Sequence, residues 1–227
     1  MAFFEKIGQV LTTDLTKDFK NKKNIEQQTS AFLQLQKKRR SIYALGRKMP
    51  LHQQDIEALI KDTVLQTPAA CNVHSARIVM LFADAHIKFW NIVREELRKL
   101  IPVDVFEGTN LKIDGFAAGY GTVLFYEDLN VIKGLQKQYP LSADNFPIWS
   151  EQSGGMVQYA VWTALAEYQI GASLQHYNPL IDEQVCEAFQ IPRDWFLRAQ
   201  LVFGSIEKPS SEKFLITNDE YFKIYFE

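Results

Sequence analysis

Residues 149–175 read WSEQSGGMVQYAVWTALAEYQIGASLQ. The spacing predicts one helix from Trp149 to Ile170, the longest in the chain, interrupted by Gly171. Met156, Val157, Ala160, Val161, Ala164 and Leu165 make it apolar over much of its surface, so it belongs in the middle of the molecule. Ser153, Gly154, Gly155, Ala160 and Ala164 are small enough to let another helix approach closely, a dimer axis included. Gly171-Ala172-Ser173-Leu174-Gln175 then opens a new segment, with Tyr177-Asn178-Pro179 behind it.

Outward from this helix, strand and helix patterns mix without strict alternation. Gly121 to Tyr126 (GTVLFY) reads as a strong strand, and Trp195 to Ile206 contains another at Ala199 to Gly204 (AQLVFG). Arg77 to Phe82 reads as a buried strand. Tyr221 to Phe226 carries four aromatics and reads as a terminal strand at a sheet edge. Helices are expected from Ser30 to Lys38, His52 to Gln66, Asp84 to Ile101 (stopped by Pro102), Asp128 to Gln138 and Asp182 to Phe189. The stretch 103–119 fits no single template. The sum is an α+β domain.

The chain has 227 residues, long enough for a sizeable core, and 47% of them are hydrophobic. Lys+Arg 25 against Asp+Glu 27 leaves a net charge of −2. A dedicated nucleic-acid binder is thereby disfavoured, since phosphate neutralisation by a basic surface dominates that affinity. Two cysteines, Cys71 and Cys186, form no framework and point to a reducing, cytoplasmic setting. Both read as packing residues. No apolar run reaches the roughly 20 residues needed to span a bilayer. Residues 1–24 read as an amphipathic arm and linker, and 25–227 as the functional domain. The arm suits packing on its own domain, on a partner chain, or on a membrane, the last disfavoured by its thin positive charge.

Four scattered histidines give no metal-ligand spacing, and no nucleophile elbow or phosphate loop is present. Gly119-Tyr120-Gly121 marks a tight turn rather than a dinucleotide fingerprint. Two other segments carry chemistry. Arg39-Arg40-Ser41-Ile42-Tyr43 packs guanidinium donors and a hydroxyl at a helix end, which suits a phosphate monoester; cations meeting the helix dipole is the plainer reading. Thr67-Pro68-Ala69-Ala70-Cys71-Asn72-Val73-His74-Ser75 is a loop of small residues with an amide, able to lie against a flat ring. A chain with such elements and no evident acid, base or nucleophile suits a cofactor enzyme.

Arg39 to Ile42, Pro68 to Ser75 and Gly171 to Ser173 resemble three signatures of the nitroreductase family of flavin enzymes. RRSIYAL (39–45), GYGTVLF (119–125), LQHYNP (174–179) and AQLVFG (199–204) are most similar to one subgroup: the yeast fatty-acid-regulated nitroreductase-like proteins and small flavoproteins of lactic-acid bacteria. The resemblance runs from about residue 30 to the C-terminus.

It implies an α+β, nitroreductase-like fold, with a central mostly antiparallel sheet flanked by helices, and an intertwined homodimer with FMN at the subunit interface. Arg39 and Ser41 would hold the phosphate and ribityl chain, with Arg40 beside them and Lys213 as a second cation. Tyr43 would lie near the ring or the incoming nicotinamide. Pro68, Ala69, Ala70 and Asn72 would contact the flavin bound mainly by the other chain. Leu174, Gln175 and His176 would lie near flavin N5, through backbone N–H groups, with a proton-donating role for His176 left open. Asn110 or Lys112 would approach the polar edge of the ring. Phe146 and Trp149 either line the substrate opening or cap the long helix.

The chain also departs from the family pattern. His74 stands where many relatives have Gln, Ser75-Ala76 replaces Pro-Trp, and Tyr43 replaces a basic residue. The implied activity is ping-pong hydride transfer from NADH or NADPH to nitroaromatics or quinones, in oxidative or chemical stress defence. No metal and no catalytic side chain are implied. A flavin-binding stress or regulatory protein with little turnover is the alternative, and an interaction module docking through the arm is a second.

Overall fold

The computed structural model describes residues 30–213 and 221–226. The arm expected over 1–24 lies outside the described residues. The chain divides into two units, Met1–Arg39 and Arg40–Glu227. In the first unit the described part is α1 (Ala31–Lys38). Ser30 is its N-cap, Lys37 and Lys38 lie in its last turn, and the Arg39 N–H donates to the Leu35 carbonyl at 2.9 Å.

The second unit contains, in order, β1 (Leu45–Gly46), α2 (Gln53–Gln66), a 3₁₀ turn (Ala70–Asn72), β2 (Ala76–Phe82), α3 (Ala83–Arg98), α4 (Phe106–Ala117), β3 (Gly121–Asp128), α5 (Leu129–Gln138), a 3₁₀ turn (Pro140–Ser142), α6 (Asn145–Glu167), β4 (Gly171–Gln175), α7 (Asp182–Phe189) and β5 (Trp195–Ile206). The stretch 103–119, ambiguous in sequence, supplies α4.

β5 organises the sheet. It pairs with β3 from Trp195 to Phe203, with β4 from Gln200 to Gly204, and with β1 at Ser205 and Ile206; β2 pairs with β3. All these ladders are antiparallel, and one isolated parallel bridge joins Ser41 to Ala172. Gly204 is required where β1 crosses: a Cβ there would sit 2.3 Å from the Gly46 carbonyl oxygen.

Alternation along β3 and β5 feeds two cores. Leu124, Tyr126, Leu197 and Val202 join Phe89 and Trp90 of α3 and Ile113 and Phe116 of α4. Val123, Phe125, Leu201 and Phe203 join Ile56 and Ile60 of α2 and Val157, Val161 and Leu165 of α6. Buried polar groups are tied into this frame. Thr122 Oγ1 accepts from Trp90 Nε1 at 3.0 Å and lies 2.8 Å from His86 Nδ1. Burial lowers the His86 pKa to about 4.

Several expectations shift. α6 begins a turn earlier than Trp149, because Pro147 falls in the first turn where no N–H is needed. It ends before Ile170, where Gln169 turns left-handed at φ 59°. α6 is also less enclosed than its composition implies: Ile148, Met156 and Tyr159 are exposed along one side. α3 ends at Arg98, four residues before Pro102. β2 is mostly half-buried rather than buried, since among the described residues only β3 pairs with it. Tyr221–Phe226 forms no strand and its aromatics are exposed. Cys71 is exposed rather than packed, and Cys186 is half-buried with Sγ 2.9 Å from the Ile191 carbonyl oxygen.

Candidate functional site

The Arg40–Ser41 turn is pinned to β4. Ser41 bridges Ala172, and the Ile42 N–H donates to the Ala172 carbonyl at 2.9 Å. Arg40 Nη2 donates to the Ser211 carbonyl at 2.8 Å, which brings the segment ending at Lys213 beside the turn. Two more contacts hold this segment: Glu207 N–H to the Ala44 carbonyl at 3.0 Å, and Lys48 N–H to Ser205 Oγ at 3.2 Å. Arg40 and Ser41 are half-buried, and Lys213 is exposed. The guanidinium of Arg40 and the hydroxyl of Ser41 are adjacent donors of the kind that suits a phosphate, and Lys213 follows two residues after Ser211. Arg39 closes the first unit at the end of α1.

β4 carries the next group. Leu174 is half-buried, Gln175 is buried with Nε2 on Ser173 Oγ at 2.8 Å, and His176 emerges exposed at the strand end. Gln200 fixes the turn that follows. Its Oε1 accepts from the Tyr177 N–H at 2.8 Å, and its Nε2 donates to Asn178 Oδ1 at 3.0 Å. Tyr43 is exposed beside α4: a Cβ on Gly115 would lie 3.7 Å from the Tyr43 carbonyl oxygen.

The 68–75 loop stands on other elements. The Ala70 N–H donates to Ser153 Oγ of α6 at 3.3 Å, and Ser75 Oγ bonds Glu127 Oε2 of β3 at 2.6 Å. Pro68 and Asn72 are exposed; Ala69 and Ala70 are half-buried. Cys71 and Asn72 adopt φ of 53° and 54°, two successive left-handed residues without glycine. Each such residue costs on the order of 1 kcal/mol, and strain of this kind collects at binding sites.

The described hydrogen bonds tie the Arg40–Ser41 turn to β4 and the C-terminal segment, and the loop to α6 and β3. Asn110 and Lys112 are engaged locally on α4. Asn110 Oδ1 accepts from Arg94, and Lys112 Nζ lies 5.6 Å from the Phe116 ring centre. Phe146 is buried edge-to-face on Trp149 at 5.3 Å, so this pair caps the start of α6.

Three features escaped the residue patterns. Arg94 clamps α4 through Asn110 and Asp114, the latter at 2.7 Å. Gln200 holds the turn after β4. The third is the buried Glu127–Ser75 pair, which strand parity could have revealed, since Val123, Phe125 and Glu127 share one face.

The geometry finds parallels among known proteins. The yeast protein HBN1 from Saccharomyces cerevisiae is 32% identical over 183 residues, covering 80% of this chain and 91% of HBN1. Nitroreductase CinD from Lactococcus lactis, solved with nicotinic acid, superposes with a TM-score of 0.81 at 46% identity, covering 86% of this chain and all of CinD. The same protein has been solved with 4-nitrophenol. A nitroreductase with bound FMN from Desulfitobacterium hafniense shares the fold at 13% identity and a TM-score of 0.64, covering 88% of this chain and 100% of its own. The family model named Nitroreductase matches residues 37–205, and this chain therefore belongs to the nitroreductase family.

Proposed function

We propose that this protein is an FMN-dependent oxidoreductase that uses NADH or NADPH to reduce nitroaromatics or quinones. The observation that carries the reading is the Arg40–Ser41 turn, held on β4 with the Lys213 segment folded against it. The family match and the FMN-bound fold relative support the choice of ligand.

Arg40 and Ser41 hold the FMN phosphate, with Lys213 as a further cation. The rigid seat on β4 limits the entropy lost when the phosphate is bound. Backbone N–H groups at Gln175 and His176 face the ring, and the Gln200 side chain keeps their turn in place. Pro68, Ala69, Ala70 and Asn72 present small side chains and backbone to its flat face. When bound, the flavin supplies the hydride relay, so reductant and acceptor occupy one place in turn. The protons that a quinone or nitro group would take up with the hydride would come from solvent, so no acid or base in this chain is needed, and the residues serve to position the ring and its reactants. Tyr43, exposed beside α4, borders the place where nicotinamide or acceptor enters. CinD, solved with nicotinic acid and with 4-nitrophenol, supports that choice of ligand classes.

The proposal includes a homodimer. The turn and the loop rest on different elements of one chain, and the exposed side of α6 (Ile148, Met156, Tyr159) offers an apolar face for a second copy. In such a pair the loop of one chain completes the pocket begun by the turn of the other. A role in oxidative or chemical stress defence and a cytoplasmic site belong to the same proposal. Among the described residues no helix is long and apolar enough to cross a membrane.

The test is steady-state oxidation of NADH and NADPH with 4-nitrophenol and a quinone as acceptors, after loading with FMN. Acceptor-dependent turnover supports the proposal. A yellow protein that fails to oxidise either nucleotide points instead to a flavin-binding regulator.

A further inference from the structure

Glu127 has no role in the reading above, yet it is among the most enclosed charged residues, at 1% exposure. Its Oε2 bonds Ser75 Oγ at 2.6 Å, and its Oε1 lies against α6, where a Cβ on Gly154 would come within 2.7 Å. Ser75 is itself buried, and its carbonyl accepts from the Asp128 N–H at 2.9 Å. The Ala70 N–H bonds Ser153, the neighbour of Gly154. The carboxyl therefore sits where the 68–75 loop, β3 and α6 converge.

The neighbouring cations are committed elsewhere. Arg77 of β2 pairs with Asp128 at 3.0 Å, and Arg198 of β5 pairs with Glu151 of α6. Glu151 disfavours a second negative charge nearby, whereas Arg77, Arg198 and the Ser75 hydroxyl favour one. Burial outweighs them all and raises the Glu127 pKa to about 7.

We propose that Glu127 is a proton-controlled positioning residue for the 68–75 loop. Protonated, its carboxyl and the Ser75 hydroxyl form a neutral hydrogen-bonded pair that fastens the loop to β3 and α6. Ionised, the carboxylate still accepts the Ser75 hydroxyl but has no dedicated buried cation; the cost of keeping its charge dry outweighs that bond, so it draws water inward and loosens the loop. The consequence for cofactor binding rests on the FMN reading above; the latch itself does not.

Hydrogen exchange of the peptide covering residues 68–76, read by mass spectrometry on the full chain, tests it. Rates are taken from pH 5.5 to 8.5 and corrected for intrinsic chemistry. The wild type should open at least about fivefold more at pH 8 than at pH 6. Glu127→Gln, which mimics the neutral acid, should stay closed across the range. Ser75→Ala should exchange faster at pH 6 and lose most of the pH step. A wild-type loop with no pH step, or a step that survives in Glu127→Gln, overturns the proposal. The second result would transfer the effect to another group.

In parallel, the ratio of the FMN dissociation constants of wild type and Glu127→Gln, which cancels the second ionisation of the phosphate itself, should rise about fivefold between pH 6 and 8. If FMN does not bind at any pH, the cofactor reading fails while the exchange data still decide the latch.

Discussion

Arg40 shows how much one residue can carry and how much it conceals. Its place in an Arg-Arg-Ser run was legible because a guanidinium pair followed by a hydroxyl suits a phosphate. Its bond to Ser211 was not, because nothing local in sequence says which carbonyl 171 residues away will meet a side chain. Replacing Arg40 with Ala removes a charge-assisted contact worth about 1.5–3 kcal/mol, so FMN affinity should fall by about 10- to 100-fold. Isothermal titration with FMN checks this, and circular dichroism confirms that the fold persists. Glu127 teaches the complementary lesson. Its parity with Val123 and Phe125 was on the page, but a strand stopped at Tyr126 leaves it outside; only the extension of β3 to Asp128 turns it inward.

Helices were legible where their period was strong and their ends chemically marked. α7 lies at Asp182–Phe189 as its pattern required, and Asp128 caps α5 by accepting the Asn130 N–H at 3.0 Å. Ends were missed where a local signal has two readings: Pro147 reads as a break before Trp149, yet a proline fits the first turn of a helix, and α6 starts at Asn145. The aromatic tail was misread because β-propensity reports packing, and Tyr221–Phe226 meets no sheet within the described chain.

Two helix glycines separate packing from propensity. Gly134 of α5 has nothing within 4 Å of a built Cβ, so Gly134→Ala should stabilise by about 1 kcal/mol. Gly154 of α6 lies against Glu127, so Gly154→Ala should lose that gain and destabilise by about 1–3 kcal/mol. Urea denaturation of both variants reads the contrast directly.

At the scale of the molecule, two buried titrations oppose one another. His86, held neutral to about pH 4, contributes stability that is complete above its ordinary pKa and fades as pH falls through 6.5 towards 4. Glu127 runs the other way: its contribution is complete below the ordinary carboxylate range and fades as pH rises towards 7. Their slopes cancel over the shared window. Glu127→Gln removes one of them, so its stability relative to wild type should improve by about 2–3 kcal/mol from pH 4.5 to 7.5. Paired urea melts at several pH values measure that difference, with His86 unchanged in both proteins.

Assembly belongs to the same scale. The proposed homodimer predicts that Met156→Glu, which places a charge on the exposed apolar side of α6, reads as a monomer in light scattering beside a dimeric wild type, with loss of FMN binding; a wild type that is itself a monomer contradicts the pairing. The proposed pairing, and with it the meeting of turn and loop, came from the family resemblance and not from residue patterns alone, since both would depend on a second copy.

The central claim is that this chain holds FMN through the Arg40–Ser41 turn. Its most direct test is the visible absorption spectrum of the purified full chain after incubation with FMN and desalting, beside Arg40→Ala. The account predicts retained flavin at about one per chain in the wild type and a marked loss in the variant. A colourless wild type after incubation, or retention unchanged by Arg40→Ala, would contradict it.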